Sequence, residues 1–162
     1  MSLAIRPAAP GDRAAIWAIL EPVLRAGETY ALNRDLTREA ALAYWLGADR
    51  VPFVAEAAGE IVGTYYLRAN QAGGGAHVAN CGYATHPEAR GRGIARAMAE
   101  HSFAEARARG FRAMQFNFVV SSNAAAVRLW HALGFETVGR VPEAFEHPAL
   151  GLVDALVLYR HL

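Results

Sequence analysis

The chain has 162 residues, 54% of them apolar, and a formal net charge of +1. That length suits one domain with a proper core, the apolar fraction argues against disorder, and the near-neutral charge gives no general reason to expect nucleic acid or an anionic membrane as partner. A single cysteine, Cys81, excludes an intramolecular disulfide and any cysteine-based zinc framework. Residues 1–10 are too short and too broken by Pro7 and Pro10 for a signal peptide. No apolar run approaches ~20 residues, so a cytoplasmic domain without a membrane span is expected.

Leu3 to Arg6 alternates weakly and ends at Pro7, which suits a short edge strand. Gly11-Asp12 caps a helix with Ile16, Ile19, Leu20 and Val23 as its stripe, and Pro22 is expected to kink or interrupt it. Residues 26–36 lack periodicity and read as a loop. Thr37 starts a second helix, with Ala40, Ala41, Tyr44 and Trp45 at helical spacing and Gly47 at its end. Residues 51–57 and 61–69 form a hairpin around Ala58-Gly59-Glu60. Gln71 to Gly75 reads as a flexible turn. His77 to Thr85 is a further strand, with Gly82 a bulge or a point of close backbone approach. A helix from about Arg92 to Arg109 precedes a strand at residues 111–120. Ser121-Ser122-Asn123 then caps a helix carrying Ala126, Leu129, Trp130 and Leu133, closed by Gly134. Two final strands fit residues 136–141 and 152–159, separated by a loop containing Pro142 and Pro148.

The order β-α-α-β-β-β-α-β-α-β-β predicts an α/β domain spanning residues 1–162, a mixed sheet with helices on both faces. The strands at 77–85 and 111–120 are joined by a helical crossover and should be parallel. Between the first of them and its helix lies Arg90-Gly91-Arg92-Gly93. Glycines let the backbone approach a ligand, and a helix N-terminus offers unpaired N–H groups to a phosphate. The stretch reads as an anion cradle for a pyrophosphate, or as a tight turn with exposed arginines. A Rossmann fingerprint fails at Arg96, and no Gly-Lys-Ser/Thr follows for a Walker loop.

The pattern Arg-x-x-Gly-x-Ala, Arg90 through Ala95, resembles the acyl-CoA pyrophosphate loop of the GCN5-related N-acetyltransferases (GNAT). A second stretch, Asn123, Ala126, Leu129, Trp130, Gly134 and Phe135, is similar to that family's Asn-x-x-Ala-x-x-Leu-Tyr-x-x-x-Gly-Phe. The resemblance covers nearly the whole chain and is weakest over the first 50 residues. It implies the GNAT fold, with a splayed pair of central parallel strands. It also implies acetyl-CoA as cosubstrate, no metal, a small-molecule amine as acceptor, and a homodimer. The implied cofactor-binding residues are Tyr83, Thr85, Arg90, Gly91, Arg92, Gly93, Ile94, Ala95 and Asn123. In such a transfer a neutral amine attacks the thioester carbonyl and the thiolate leaves. Backbone N–H groups at the splay bind the carbonyl oxygen and the pantetheine arm, with Tyr83 and Thr85 as candidates by position. One departure is Trp130, where the family usually has a tyrosine proposed to protonate the thiolate. Indole has no labile proton to offer, and the residue itself reads as core.

Asn80 and Asn117 are polar residues inside apolar strands, and burial without partners costs free energy. Alternation puts Asn117 with Gln115, opposite Met114, Phe116 and Phe118. The residues alone are compatible with backbone-paired asparagines and with Asn123 as a plain helix cap. The trio, with Phe116-Asn-Phe-Val-Val-Ser-Ser-Asn123, is also similar to fungal acetyltransferases that detoxify the proline analogue azetidine-2-carboxylate. That resemblance implies that Asn80 and Asn117 hold a small imino acid and that Asn123 lies beside the CoA arm. With Tyr83 placed at the splay, and Tyr30 in the loop that usually lines the acceptor cleft in the family, the catalytic candidates are Asn80, Tyr83 and Asn123 and the substrate-binding ones Tyr30, Asn80 and Asn117. Amides cannot act as a general base. His77, His86, Glu28 and Tyr30 are candidates for that role, as is a water chain. An acyl-Cys81 route is rejected because a buried strand thiol is normally inert. The resulting expectation is an acetyl-CoA-dependent N-acetyltransferase of a small amine. The alternatives are a protein N-terminal or lysine acetyltransferase and a non-catalytic acyl-CoA sensor.

Overall fold

Alternation along seven strands sorts side chains onto the two faces of one sheet. A computed structural model describes residues 2–162. The strands are β1 (Leu3–Pro7), β2 (Val51–Ala57), β3 (Glu60–Ala69), β4 (Val78–Thr85), β5 (Ala113–Val120), β6 (Glu136–His147) and β7 (Gly151–His161). Their spatial order is β1-β2-β3-β4-β5-β7-β6. Every neighbouring pair is antiparallel except β4 and β5, which are parallel. The helices are α1 (Arg13–Ala26), α2 (Arg38–Trp45), α3 (Ile94–Ala108) and α4 (Ala124–Ala132). On one face Tyr65, Leu67, Cys81, Met114 and Phe116 share a core with Met98, Phe103 and Trp130 from α3 and α4. On the other, Val54, Tyr66 and Ala84 share one with Ile16, Ile19, Leu42 and Trp45 from α1 and α2. The expected mixed α/β architecture and element order are therefore present.

The parallel pair matters most. Its register holds only at Val78↔Ala113 and Ala79↔Met114, after which β4 and β5 part. A cleft opens between them, at the carboxyl end of β4 where α3 begins.

Local expectations hold at the caps. Thr37 accepts the Ala40 N–H at 3.1 Å, and Asn123 accepts the Ala126 N–H at 3.4 Å. Three expectations change, and a fourth, at Gly82, narrows to the close approach that is its second alternative. Asp12 does not cap α1; its carboxylate takes the Ala9 N–H and a two-pronged contact from Arg6. Pro22 does not interrupt α1, because buried Ile19, Leu20 and Leu24 on either side hold the helix through it. Gly82 is no bulge: the β3–β4 register runs unbroken through it. The glycine is needed because the Tyr66 ring lies on it, and a Cβ there would sit 2.5 Å from a ring carbon. Pro142 is not in a loop either. The edge strand β6 runs through it with a register break between Val141 and Phe145, a place where a missing N–H costs no ladder bond. No helix among the described residues is long and apolar enough to cross a membrane.

Candidate active site

The turn before α3 is built by backbone conformation. Arg90 is extended and exposed, and Gly91 and Gly93 sit at φ +77° and +75°, in the left-handed region that glycine enters without penalty. A Cβ at either glycine would meet nothing within 4 Å, so conformation rather than space demands them. Gly93 is the N-cap of α3 and brings no side chain to cap it. The N–H groups of Ile94, Ala95 and Arg96 thus have no carbonyl partner inside the helix, and the positive end of its dipole faces the same way. Arg92 Nη2 donates to the Glu88 carbonyl at 3.1 Å and steadies the turn. Buried Ile94 anchors it against Gly63, whose missing Cβ leaves room for Ile94 and Met98.

The phase of the β3–β4 ladder decides which backbone groups face the cleft. Asn70 N–H donates to Val78 O and His86 N–H to Val62 O. In an antiparallel pair these bonds make Ala69↔Ala79 and Gly63↔Thr85 non-hydrogen-bonded pairs, and alternation extends that to Cys81 and Tyr83. Cys81, Tyr83 and Thr85 therefore turn N–H and C=O away from β3, towards the side where β5 has departed. The Tyr83 carbonyl is already matched there: the Tyr30 hydroxyl donates to it at 2.6 Å.

The side chain of Tyr83 goes elsewhere. Its hydroxyl lies 2.6 Å from Ser102 Oγ, and its ring packs 5.1 Å from that of Trp130. Burial pushes its phenol well above the ordinary range. Trp130 is only 8% exposed and packs on Phe116 and Phe135, a core position. Burial likewise pushes the Cys81 thiol up to about 12, which leaves it inert as a nucleophile near neutral pH.

On the α1–α2 face an amide cluster spans the root of the cleft. Asn70 Oδ1 accepts from Asn117 Nδ2 at 2.7 Å and from Asn80 Nδ2 at 3.3 Å, and Gln115 donates to Asn117 Oδ1 at 2.9 Å. Asn80 and Asn117 are thus brought together, across two strands that are no longer paired. Asn123 does not join them; its amide oxygen is the α4 cap. The base candidates disperse. His77 is exposed, His86 Nδ1 accepts the Glu88 N–H, Glu28 is exposed, and the Tyr30 hydroxyl is occupied with Tyr83.

With this geometry in place, the comparisons with known proteins are informative. Residues 14–135 match the family model described as the acetyltransferase (GNAT) family. The chain belongs to the GNAT family. Members of that family are acetyltransferases that use acetyl-CoA. The GNAT chain is 41% identical to a GCN5-related N-acetyltransferase from Kribbella flavida, with a TM-score of 0.93 over 99% of this chain and 98% of that one. The yncA protein of Salmonella typhimurium, solved with its cofactor acetyl-CoA, shares the fold at 24% identity and a TM-score of 0.86, over 100% of this chain and 95% of that one. Among curated proteins, the N-acetyltransferase aca1 of Schizosaccharomyces pombe is 31% identical over 102 residues, 62% of this chain. The GNAT chain spans about half the length of that relative, the match covering 49% of it.

Two site features escaped sequence reasoning. Asn70, just after β3, falls between the strand and the turn read from the sequence and has no role there, yet it is the acceptor that gathers Asn80 and Asn117. The signal available was its spacing: ten residues before Asn80, in a hairpin whose register puts Arg68 opposite Asn80. Arg50, just before β2, likewise belongs to none of the motifs read from the sequence.

Proposed function

We propose that this GNAT chain acetylates the amine of a small amino or imino acid, a proline analogue being one such acceptor. The observation that carries this reading is the Asn70–Asn80–Asn117 cluster at the root of the β4–β5 cleft. Each amide offers both a donor and an acceptor, which suits a compact zwitterion. The N-acetyltransferase relative from Schizosaccharomyces pombe supports acetyl transfer to an amine, over the part that it shares with the chain, and says nothing of the acceptor. When bound, acetyl-CoA supplies the acetyl group as an activated thioester. The chain's own residues divide the work of holding it. The free N–H groups of Ile94, Ala95 and Arg96, with Arg90 beside them, take the pyrophosphate in the turn formed by Gly91, Arg92 and Gly93. The cleft-facing N–H groups of Tyr83 and Thr85 orient the arm and the acetyl carbonyl, and Asn123 lies at the β5 side of the same cleft. Asn80 and Asn117 hold the acceptor, and Tyr30 buttresses the strand edge between the two ligands. Solvent takes the amine proton: of the base candidates among the described residues, His77 and Glu28 are exposed, and His86 Nδ1 and the Tyr30 hydroxyl are already hydrogen-bonded.

A panel of amines assayed by thiol release from acetyl-CoA tests this. Turnover of small amino or imino acids is expected; acetylation of peptides alone would overturn the reading, as would tight CoA binding with no turnover of any amine. Asn117→Ala should raise the acceptor KM by about tenfold, the value of one or two hydrogen bonds, and leave CoA affinity nearly unchanged.

A further inference from the structure

Arg50 stands immediately before β2, and its side chain is only 8% exposed. The guanidinium carbon lies 4.1 Å from the centre of the Tyr44 ring and 4.3 Å from that of Tyr66. Those rings are nearly perpendicular, at 87°, so the charge sits in the corner that they make. Ring faces attract a cation but accept none of its in-plane N–H groups. Nε and Nη1 are both buried and have no hydrogen-bond partner. Asp49 Oδ1 comes within 3.5 Å of Nε without the geometry of a hydrogen bond. The Asp49 side chain is 61% exposed, and its other oxygen is 3.5 Å from Arg68 Nη2. A buried guanidinium with unmatched donors is costly unless something supplies acceptors in its plane. A carboxylate does this better than any other small group.

The place of Arg50 identifies whose carboxylate that is. Tyr66, which carries the cation on its ring, lies over Gly82 in β4. Gly82 shares a sheet face with Asn80, two residues earlier, and the next residue, Tyr83, faces the cleft. Arg68, linked to Arg50 through Asp49, stands opposite Asn80 in the ladder. The cation and the amide cluster thus flank one stretch of β3–β4, on the face away from α3.

We infer that Arg50 is the carboxylate receptor of the acceptor site, held in advance by Tyr44 and Tyr66, and that it selects amines bearing a carboxylate. The assignment rests on the small-acceptor reading above and sharpens it. With the carboxylate at Arg50, the amine of the same molecule lies along β4 towards Asn80 and the strand edge at Tyr83.

The test pairs acids with their amides: L-proline against L-prolinamide, L-alanine against L-alaninamide, and L-methionine against L-methioninamide. Binding is measured by calorimetry in the presence of CoA, and turnover by thiol release. The wild-type chain should bind at least one acid about tenfold or more tighter than its amide. Arg50→Gln should lose that preference while CoA affinity and the thermal midpoint stay close to wild type. Arg50→Lys, which keeps the charge without the planar fork, should retain part of the preference. Failure of every acid to bind, or equal binding of acid and amide by the wild-type chain, overturns the assignment without any variant. An equal loss of both ligands in Arg50→Gln also overturns it. Acids that bind with the preference but are not acetylated would leave Arg50 as assigned and sink the transfer reading. Amines turned over with no acid preference would do the reverse.

Discussion

The Tyr30 hydroxyl donates to the Tyr83 carbonyl oxygen at 2.6 Å, joining residues 53 positions apart. That bond ties the loop ahead of α2 to the edge of β4 that faces the cleft. Burial raises the Tyr30 phenol far above its ordinary range, so it stays protonated and serves as a donor. Its ring also packs edge-on against Trp45 at 6.0 Å, which holds it there. Tyr30→Phe keeps that packing and leaves the Tyr83 carbonyl unmatched. The expected cost is about 1–3 kcal/mol, read as a fall in Tm of roughly 2–12 °C. Acceptor KM should rise more than the CoA Kd in the same variant. A Tm and KM equal to wild type would mean that solvent satisfies the carbonyl equally well.

Gly93 supports a second prediction, because its requirement is separable from space. At φ +75° a side chain costs about 1–2 kcal/mol, and a β-branched one more, although nothing lies within 4 Å of the Cβ position. Gly93→Val should leave the left-handed region and turn the α3 N–H groups away from the cradle. CoA affinity, measured by calorimetry, should fall by about tenfold or more. Gly110→Val is the control: it has the same kind of strain, at φ +87°, beyond the far end of α3. It should lose stability and keep CoA affinity.

These two sites also show where sequence stops being informative. The cradle was legible because its causes are local: glycines at left-handed positions, a strand before them and a long helix after. The parallel pair followed from the crossover rule, and the caps at Thr37 and Asn123 from side-chain chemistry. Asn80 and Asn117 stood out as polar residues in apolar strands. Their meeting point did not, since Asn70 becomes a partner only once β3, β4 and β5 are laid side by side. Arg50 is the same case in stronger form. An arginine between a turn and a strand is ordinarily solvated, and only the fold brings Tyr44 and Tyr66 around it. Pro142 misled for the converse reason: the edge position that makes a proline harmless in a strand is a property of the sheet.

Trp130 stands where the family usually has tyrosine, and its surroundings predict what restoring the tyrosine would do. The indole fills a space bounded by Tyr83, Phe116 and Phe135, with ring centres 5.1, 4.7 and 5.8 Å away. Trp130→Tyr shrinks a buried ring and brings a hydroxyl that needs a partner. About 1–3 kcal/mol of stability should be lost. The kcat measured by thiol release should stay within about twofold, since one substitution here returns no proton donor to the cleft. A rise of about tenfold would instead show that the position can still protonate the leaving thiolate.

His101 predicts how stability responds to pH. Its Nδ1 lies 2.7 Å from the Tyr65 hydroxyl, and its ring meets Phe53 edge-on at 5.3 Å. Burial raises the Tyr65 phenol, so that group is the donor and the imidazole accepts in its neutral form. Burial lowers the His101 pKa below 6.5, outweighing the opposite pull of Glu105. The folded chain therefore binds fewer protons at this site than the unfolded chain does below about pH 6.5, and stability rises with pH there. Read downwards, the contribution is whole above about pH 6.5 and is lost as pH falls towards and through the depressed folded value. His101→Asn keeps an acceptor near the Tyr65 hydroxyl and removes the titration. Thermal melts from about pH 7 to about pH 5 should show a steeper fall in Tm for wild type than for the variant. Parallel curves would mean that the imidazole titrates alike in both states, so that neither its burial nor the Tyr65 bond discriminates between its charge forms.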